Sequence, residues 1–237
     1  MAGHSKWSKI KRDKGANDAK RGAVFTKLGN QIAIAARGGT DPELNSALAM
    51  IIEKARSANM PVANIQRAID RVADKNSADL LEITYEGYGP GGVGLIIETA
   101  TDNRNRTLPE VKTALAKNGG SIADAGSVSF QFDRKGVIRV QATGEDALLA
   151  VLDAGAEDAV EEEGEIVVYT ELKELASVRN KIAKEGIKIT EAELEYVPKT
   201  TVLVESDEVG EKLGRVLEAL DDLDDVVNVY TNAESTD

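Results

Sequence analysis

The 237-residue chain contains no cysteine and only one histidine, His4. The first absence removes disulfides, thiolate nucleophiles and cysteine-type zinc or iron–sulfur sites together. It also fits a reducing compartment. The second leaves an imidazole acid/base only in an N-terminal arm, where a fixed catalytic geometry would be hard to maintain. There is no Gly-x-Ser-x-Gly elbow and no His-Glu-x-x-His pair. The expectation is a protein that is not an enzyme, with no cofactor and no metal. No apolar run approaches the roughly 18 residues that a membrane helix needs. The basic N-terminus has no hydrophobic stretch behind it, so it does not read as a secretory signal, and Asp13 and Asp18 argue against a transit peptide. A soluble, cytoplasmic protein without a membrane partner is expected.

What the chain does have is segregated charge. Its first forty residues carry nine basic side chains (Lys6, Lys9, Lys11, Arg12, Lys14, Lys20, Arg21, Lys27 and Arg37) and only Asp13 and Asp18 as acids, a local charge of +7. The whole chain is at -12, so the remainder sums to -19. Solubility needs net charge and not opposed poles. The plainest use of a basic arm on an acidic body is to hold a polyanion by neutralising phosphates.

Read in order, residues 1–16 form a flexible basic arm, and residues 17–76 form a helical bundle. Val24, Leu28, Ile32 and Ala35 make one helical face. Asp41-Pro42 offers an N-cap and a first-turn proline to a second helix with Leu44, Leu48, Ile51 and Ala55. A third helix carries Ile65, Ile69 and Val72. From residue 79 the pattern changes to strands on either side of Gly89-Pro90-Gly91-Gly92. Thr107 and Glu110 have capping-box spacing and open a helix with Val111 and Leu115. Ser127 to Phe132 alternates like a strand.

Residues 134–200 then give strand, helix, strand, strand, helix, strand, the split βαβ order of ferredoxin-like domains. Residues 201–237 add a strand, a helix with Val209, Leu213, Val216 and Leu220, and a strand at Val226–Tyr230. This tail has too little sheet to stand alone. It completes the domain begun at 79–133, which makes 134–200 an insertion. The fold class is α+β and multidomain: a three-helix bundle, then two ferredoxin-like domains, one inserted in the other.

Two regions are candidates for nucleic-acid contact. In the arm, His4 and Trp7 interleave with Lys6, Lys9, Lys11, Arg12 and Lys14, so that rings can stack on bases while cations meet phosphates. Lys20, Arg21 and Lys27 extend this charge along the first helix. The competing reading is a solvated tail, or a Trp7 that packs back on the bundle. Arg104 and Arg106, with Asn103 and Asn105, sit where a strand meets a helix N-terminus and suit a phosphate or a base edge. They are equally compatible with an ordinary turn whose arginines pair with Glu86 or Glu98. Tyr88, Gly89, Pro90, Gly91 and Gly92 lack the Lys and Ser/Thr of a Walker loop. They read as a rigid partner-contact loop or as a plain hairpin turn. The acidic runs Glu157–Glu165 and Asp221–Asp225 lack calcium-loop spacing and read as solvated faces.

Four ordered motifs resemble the YebC/PmpR family: Met1-Ala2-Gly3-His4-Ser5-Lys6-Trp7, Asp18–Gly22 with Phe25–Lys27, Tyr85–Gly92, and Asp102–Thr107. That family comprises proteins described as transcriptional regulators and includes the mitochondrial translational activator of cytochrome c oxidase. The resemblance spans essentially the whole chain, with the last hundred residues matching by pattern more than by motif. It implies a helical domain followed by two ferredoxin-like domains, and a non-enzymatic role in gene expression. Two mechanisms compete within it: DNA-binding transcription regulation, and translation on the ribosome. A mobile aromatic arm suits folded or single-stranded RNA better than a major groove. The expectation is therefore a monomeric translation factor that binds ribosomal RNA, with duplex DNA as the alternative target.

Overall fold

The computed structural model describes residues 18–72, 80–162 and 164–235, with side chains from residue 21 onward. Helix α1 (Asp18–Ala35) buries Leu28 and Ile32 one turn apart, with Ala36 just beyond its end. They pack against Leu48, Ile52 and Ala55 of α2 (Ser46–Ser57) and Ile65, Ala68 and Ile69 of α3 (Val62–Asp70). Val24 and Val72 were expected on these faces, but both are at least 40% exposed. The expected cap at Asp41 is also displaced. Asp41 instead closes a turn, accepting Leu44 N at 3.1 Å through its carbonyl and Glu43 N at 2.9 Å through its side chain. Leu44 therefore points outward. Asn45 is the cap of α2: its Oδ1 accepts Leu48 N at 3.1 Å. Its Nδ2 donates to Ala35 O and Gly39 O, both at 2.8 Å, so one side chain also satisfies carbonyls at the end of α1. Sequence spacing cannot choose between two cap residues four positions apart; the second set of acceptors does.

Strands β1 (Leu81–Tyr88) and β2 (Gly94–Thr101) pair antiparallel in register from Leu81↔Thr101 to Tyr88↔Gly94. Helix α4 (Arg104–Lys117) follows, then β3 (Ser121–Ala123) beside the end of β1. The later chain returns as β8 (Val202–Val204), α7 (Asp207–Asp221), β9 (Val226–Thr231) and β10 (Ala233–Ser235). Among the described residues α7 is the seventh α-helix, two helices of the insertion preceding it in the chain. The main sheet has the order β3-β1-β2-β9, and β8 and β10 form a separate parallel pair. Leu95 and Ile97 of β2, Val111 and Leu115 of α4, and Leu213, Val216 and Leu220 of α7 form the core.

Two further expectations shift here. Helix α4 begins at Arg104 and not at the Thr107–Glu110 box, because Asn103 accepts both Asn105 N and Arg106 N. Pro109 consequently lies inside the helix. Ser127 to Phe132 is not a strand: Ser129–Gln131 is a single tight turn, and β4 (Phe132–Val140) starts after it. The reason is Glu86 on β1. Its buried carboxylate collects the amides of Gly126, Val128 and Ser129 at 2.7, 2.5 and 2.9 Å, which removes them from any ladder.

The chain divides into two compact units, one holding the described residues up to 131 and from 200 onward, the other residues 132–199. The second unit runs β4, α5 (Glu145–Asp153), β5 (Asp158–Glu162), β6 (Glu165–Thr170), α6 (Leu175–Lys184), β7 (Ile189–Pro198). Its sheet is antiparallel with strand order β5-β6-β4-β7. Gly136 allows α6 to sit close, since a Cβ there would meet Thr170 Oγ1 at 2.2 Å and Leu175 Cβ at 2.9 Å. On the other face Arg139 pairs with Glu195 and lies 3.7 Å from Glu191. Burial opposes the charge of this guanidinium, but the surrounding glutamates outweigh it and hold Arg139 firmly protonated. Burial, reinforced by Glu162, pushes the Tyr169 hydroxyl up to about 12.

Candidate nucleic-acid interface

The arm residues His4, Lys6, Trp7, Lys9, Lys11, Arg12 and Lys14 lie outside the described residues, as does the side chain of Lys20. The first described cation of the basic pole is Arg21, exposed near the start of α1. Lys27 is different. It is only 9% exposed, and its Nζ donates to the Asp221 carbonyl and, at 3.1 Å, to the Asp221 carboxylate. Asp221 is the last residue of α7, where unpaired carbonyls and the helix dipole favour a cation. Lys27 therefore clips the helical segment to the first unit's α/β body. It is corrected from a phosphate contact to an internal ion pair.

The Asp102–Thr107 cluster resolves in the same way. Arg106 reaches the Asp225 carboxylate from Nε at 3.2 Å and from Nη2 at 2.7 and 2.8 Å, and Asp102 Oδ1 at 3.2 Å. Thr101 Oγ1 at 2.9 Å and Thr107 Oγ1 at 2.6 Å donate to the same Asp225 oxygen. Burial alone would push the Asp225 carboxyl up. The donors from Arg106, Thr107 and Thr101 outweigh it and hold the group below the ordinary carboxylate range. The same pairing with Asp225 raises Arg106. Arg106 thus anchors the entry to β9 onto α4, a forked arginine–carboxylate contact. Its expected pairing partners, Glu86 and Glu98, are engaged elsewhere: Glu98 Oε2 accepts from Asn228 at 3.1 Å and Tyr230 at 3.2 Å. Arg104, two residues earlier, is exposed and remains available to a phosphate.

The loop at Tyr88–Gly92 is less open than a partner-contact loop should be. Gly89 and Pro90 are buried, and the Tyr88 hydroxyl donates to Ser127 O at 2.9 Å. A Cβ on Gly89 would meet Leu213 Cδ1, and one on Gly91 Val209 Cγ1, each at 3.0 Å. Only Gly91 and Gly92 are exposed, and both have φ of 77°, the left-handed region that glycine tolerates. The loop also stands apart from the arginines. The eight-residue register of β1 with β2 puts Arg104 beyond one end of the sheet and the loop at the other, roughly 23 Å along the strand.

Sequence reading missed Asp221, Asp225 and Glu86 as structural anions. The run Asp221–Asp225 was expected to be a solvated face, yet its two ends hold Lys27 and Arg106, and Asp225 is 6% exposed. The usable signal was Val226 directly after the run: a core strand beginning there draws Asp225 inward. Glu86 had a similar cue, lying on β1 between Tyr85, which packs on the core, and the glycines that follow.

Comparison with known proteins agrees with the whole-chain resemblance. Residues 5–75 match the family described as TACO1/YebC protein N-terminal domain, and residues 80–233 match TACO1/YebC second and third domain. A "Probable transcriptional regulatory protein" of Herpetosiphon aurantiacus is 46% identical, covering 100% of this chain and 96% of that protein. One of Lactobacillus acidophilus with the same description is 47% identical, with complete coverage of both. The crystal structure of a conserved hypothetical protein from Aquifex aeolicus superposes with a TM-score of 0.86 at 40% identity, covering 93% of each chain. The chain belongs to the TACO1/YebC family.

Proposed function

We propose that this protein is a non-enzymatic, nucleic-acid-binding regulator of gene expression that acts as a ribosome-associated translation factor. The observation that carries the proposal is the charge segregation: a +7 N-terminal segment on a chain of net charge -12. The finer architecture goes with it, a three-helix bundle and two ferredoxin-like domains, the second inserted in the first. RNA is favoured over duplex DNA because α1, the basic helix, packs against α2 and α3 on one side and sends Lys27 into the α/β body on another. A helix covered on two sides offers little surface to a major groove. An aromatic, cationic arm can follow an irregular RNA surface and stack on splayed bases. Among the described basic residues, Arg21 near the start of α1 and Arg104 of α4 are exposed and add to the basic charge. The second reading, a DNA-binding transcriptional regulator, is favoured by the description carried by the relatives.

Competition binding at physiological salt separates the two, with purified ribosomes set against duplex promoter fragments. The variant changes Lys6, Lys9, Lys11, Arg12 and Lys14 together to alanine. Preference for ribosomes that is lost in the variant supports the translation reading. Tight binding to one duplex over scrambled DNA, with indifference to ribosomes, supports the second reading instead.

A further inference from the structure

Helix α5 buries little of itself. Val151 is the one buried residue within it, with Ala154 buried just past its end, while Ala147, Leu148 and Ala150 are half-buried. The opposite side carries Glu145, Asp146, Leu149, Leu152 and Asp153, which the i, i+3 and i, i+4 spacings bring onto one face. Leu149 is 53% exposed and Leu152 40%. Single exposed leucines are ordinary on any surface. Two of them one turn apart, flanked by three acids, make a patch of definite chemistry.

The charge around this patch has one sign. Residues 140–172 contain ten acidic side chains and no basic one. Some of these acids are already engaged: Lys135 bridges Glu157 and Glu171, and Glu161 accepts Gly144 N at 2.8 Å at the start of α5. Glu145, Asp146 and Asp153 have no hydrogen-bond or ion-pair partner among the described residues. Glu145 and Asp146 suit the positive end of the helix dipole. Asp153 does not, because it is the last residue of α5 and stands at the negative end, where a cation is favoured. Helix α7 shows what such an end receives. It finishes in Leu220-Asp221 as α5 finishes in Leu152-Asp153, but there the leucine is buried and Lys27 donates to the aspartate's carbonyl and carboxylate. In α5 the leucine is open and the aspartate unpaired. Lys181 of α6 lies beside Gly155, two residues on, yet forms no ion pair with Asp153.

We propose that the Leu149–Leu152 face of α5 docks a basic amphipathic segment of a partner protein, which lays apolar side chains on the two leucines and brings a lysine or arginine to Asp153. The acids repel phosphates and attract a cationic peptide, so this face selects protein over nucleic acid. The leucine spacing fits a helical segment with its own apolar stripe. Two leucines make a small contact, which suits transient docking and not a permanent complex. Every residue of the patch belongs to the unit of residues 132–199. The docking is independent of which nucleic acid the protein binds.

The probe is a fluorescein-labelled peptide of leucine and lysine, with leucines at i, i+3 and i+7, titrated with the full-length protein and followed by anisotropy. A control peptide keeps every lysine and replaces each leucine with serine. Leu149→Ser combined with Leu152→Ser should weaken binding of the leucine peptide by about tenfold or more. Asp153→Asn should weaken it by about two- to fivefold. It touches no packing, so it keeps the test decisive should the double variant not fold. Leu203→Ser, at an exposed leucine of the first unit, should leave binding unchanged. Equal affinity of the wild type for both peptides would mean that charge alone binds, and overturns the proposal. So does a wild type that binds neither, or folded α5 variants that bind as the wild type does. A concentration-dependent dimer of the protein alone, lost in the leucine variant, would assign the face to a second copy and overturn the partner named here.

Discussion

Replacing Arg106 with alanine separates an anchoring arginine from a nucleic-acid contact. Asp225, with its side chain 7% exposed, would keep the hydroxyls of Thr101 and Thr107 but lose the guanidinium that donates to both of its oxygens. A hydrogen bond to a charged group contributes about 1.5–3 kcal/mol. Arg106 is 45% exposed, so water screens its share and the lower half of that range applies, about 1.5–2 kcal/mol. For a body of this size that corresponds to a fall in Tm of roughly 3–8 °C. The pH dependence has a definite sign. Asp225 is depressed in the folded state, so its contribution is present above the unfolded carboxylate value of about 3.9 and is lost as pH falls through the lower folded value. The deficit of Arg106→Ala should therefore be full at pH 7 and shrink in acid. The assay is thermal and urea unfolding from pH 7 down to pH 3, with Asp225→Asn and the double variant closing a cycle. Coupling within about 0.3 kcal/mol of zero, together with weakened RNA binding at unchanged stability, would refute the anchoring role.

Other substitutions test neighbouring parts of the argument. Lys27→Met should cost about 1–2 kcal/mol by removing a largely buried ion pair, while the salt dependence of nucleic-acid binding stays at the wild-type slope. Arg104→Ala should leave the unfolding curve unchanged and reduce that slope by about 0.7 on single-stranded RNA, or about 0.9 on duplex DNA, if one phosphate contact is lost. Glu86→Gln should destabilise by about 2–3 kcal/mol at pH 7, because a neutral amide replaces a carboxylate that accepts three backbone amides. Burial pushes Glu86 up, but those amides outweigh it and lower it, so the Glu86→Gln deficit should also fade below about pH 4. The five-fold alanine arm should lower the slope by about 3.5 on single-stranded RNA and about 4.5 on a duplex, which also reports the kind of target.

Much of the fold was legible because its cores follow simple periods. Leu28 and Ile32 recur at four, Leu213, Val216 and Leu220 recur at three and four, and β2 is a short apolar run bounded by glycine and by Asp102. The ends were less legible. Asn45 displaced Asp41 as a cap because it also reaches Ala35 O and Gly39 O, which are distant in the local pattern. Ser127 to Phe132 has the alternation of a strand, but Glu86, some forty positions earlier, takes its amides. The candidate site divides on the same principle. Charge counts find basic residues but do not say which of them meet an acid across the fold. Lys27 and Arg106 have their partners 194 and 119 positions away.

The partners of those two residues lie in the C-terminal tail, and this changes the meaning of the charge segregation. Residues 200–237 hold eleven acidic and two basic side chains. Were the tail only a solubilising surface, its acids would repel nucleic acid from the body without selecting any particular cation. Asp221 and Asp225 do select: each binds one basic residue from the candidate interface and uses it to hold α1 or α4 in place. Lys27 and Arg106 are thereby committed to the fold, and under the proposed function binding draws on the arm and on exposed Arg104 instead. The same division requires that adding salt weaken nucleic-acid binding steeply while leaving the Lys27–Asp221 and Arg106–Asp225 pairs nearly intact, since partly buried pairs are screened far less than exposed ones. Binding and unfolding measured across one salt series should therefore part company. A parallel loss of both would mean that the internal pairs and the interface draw on the same charges.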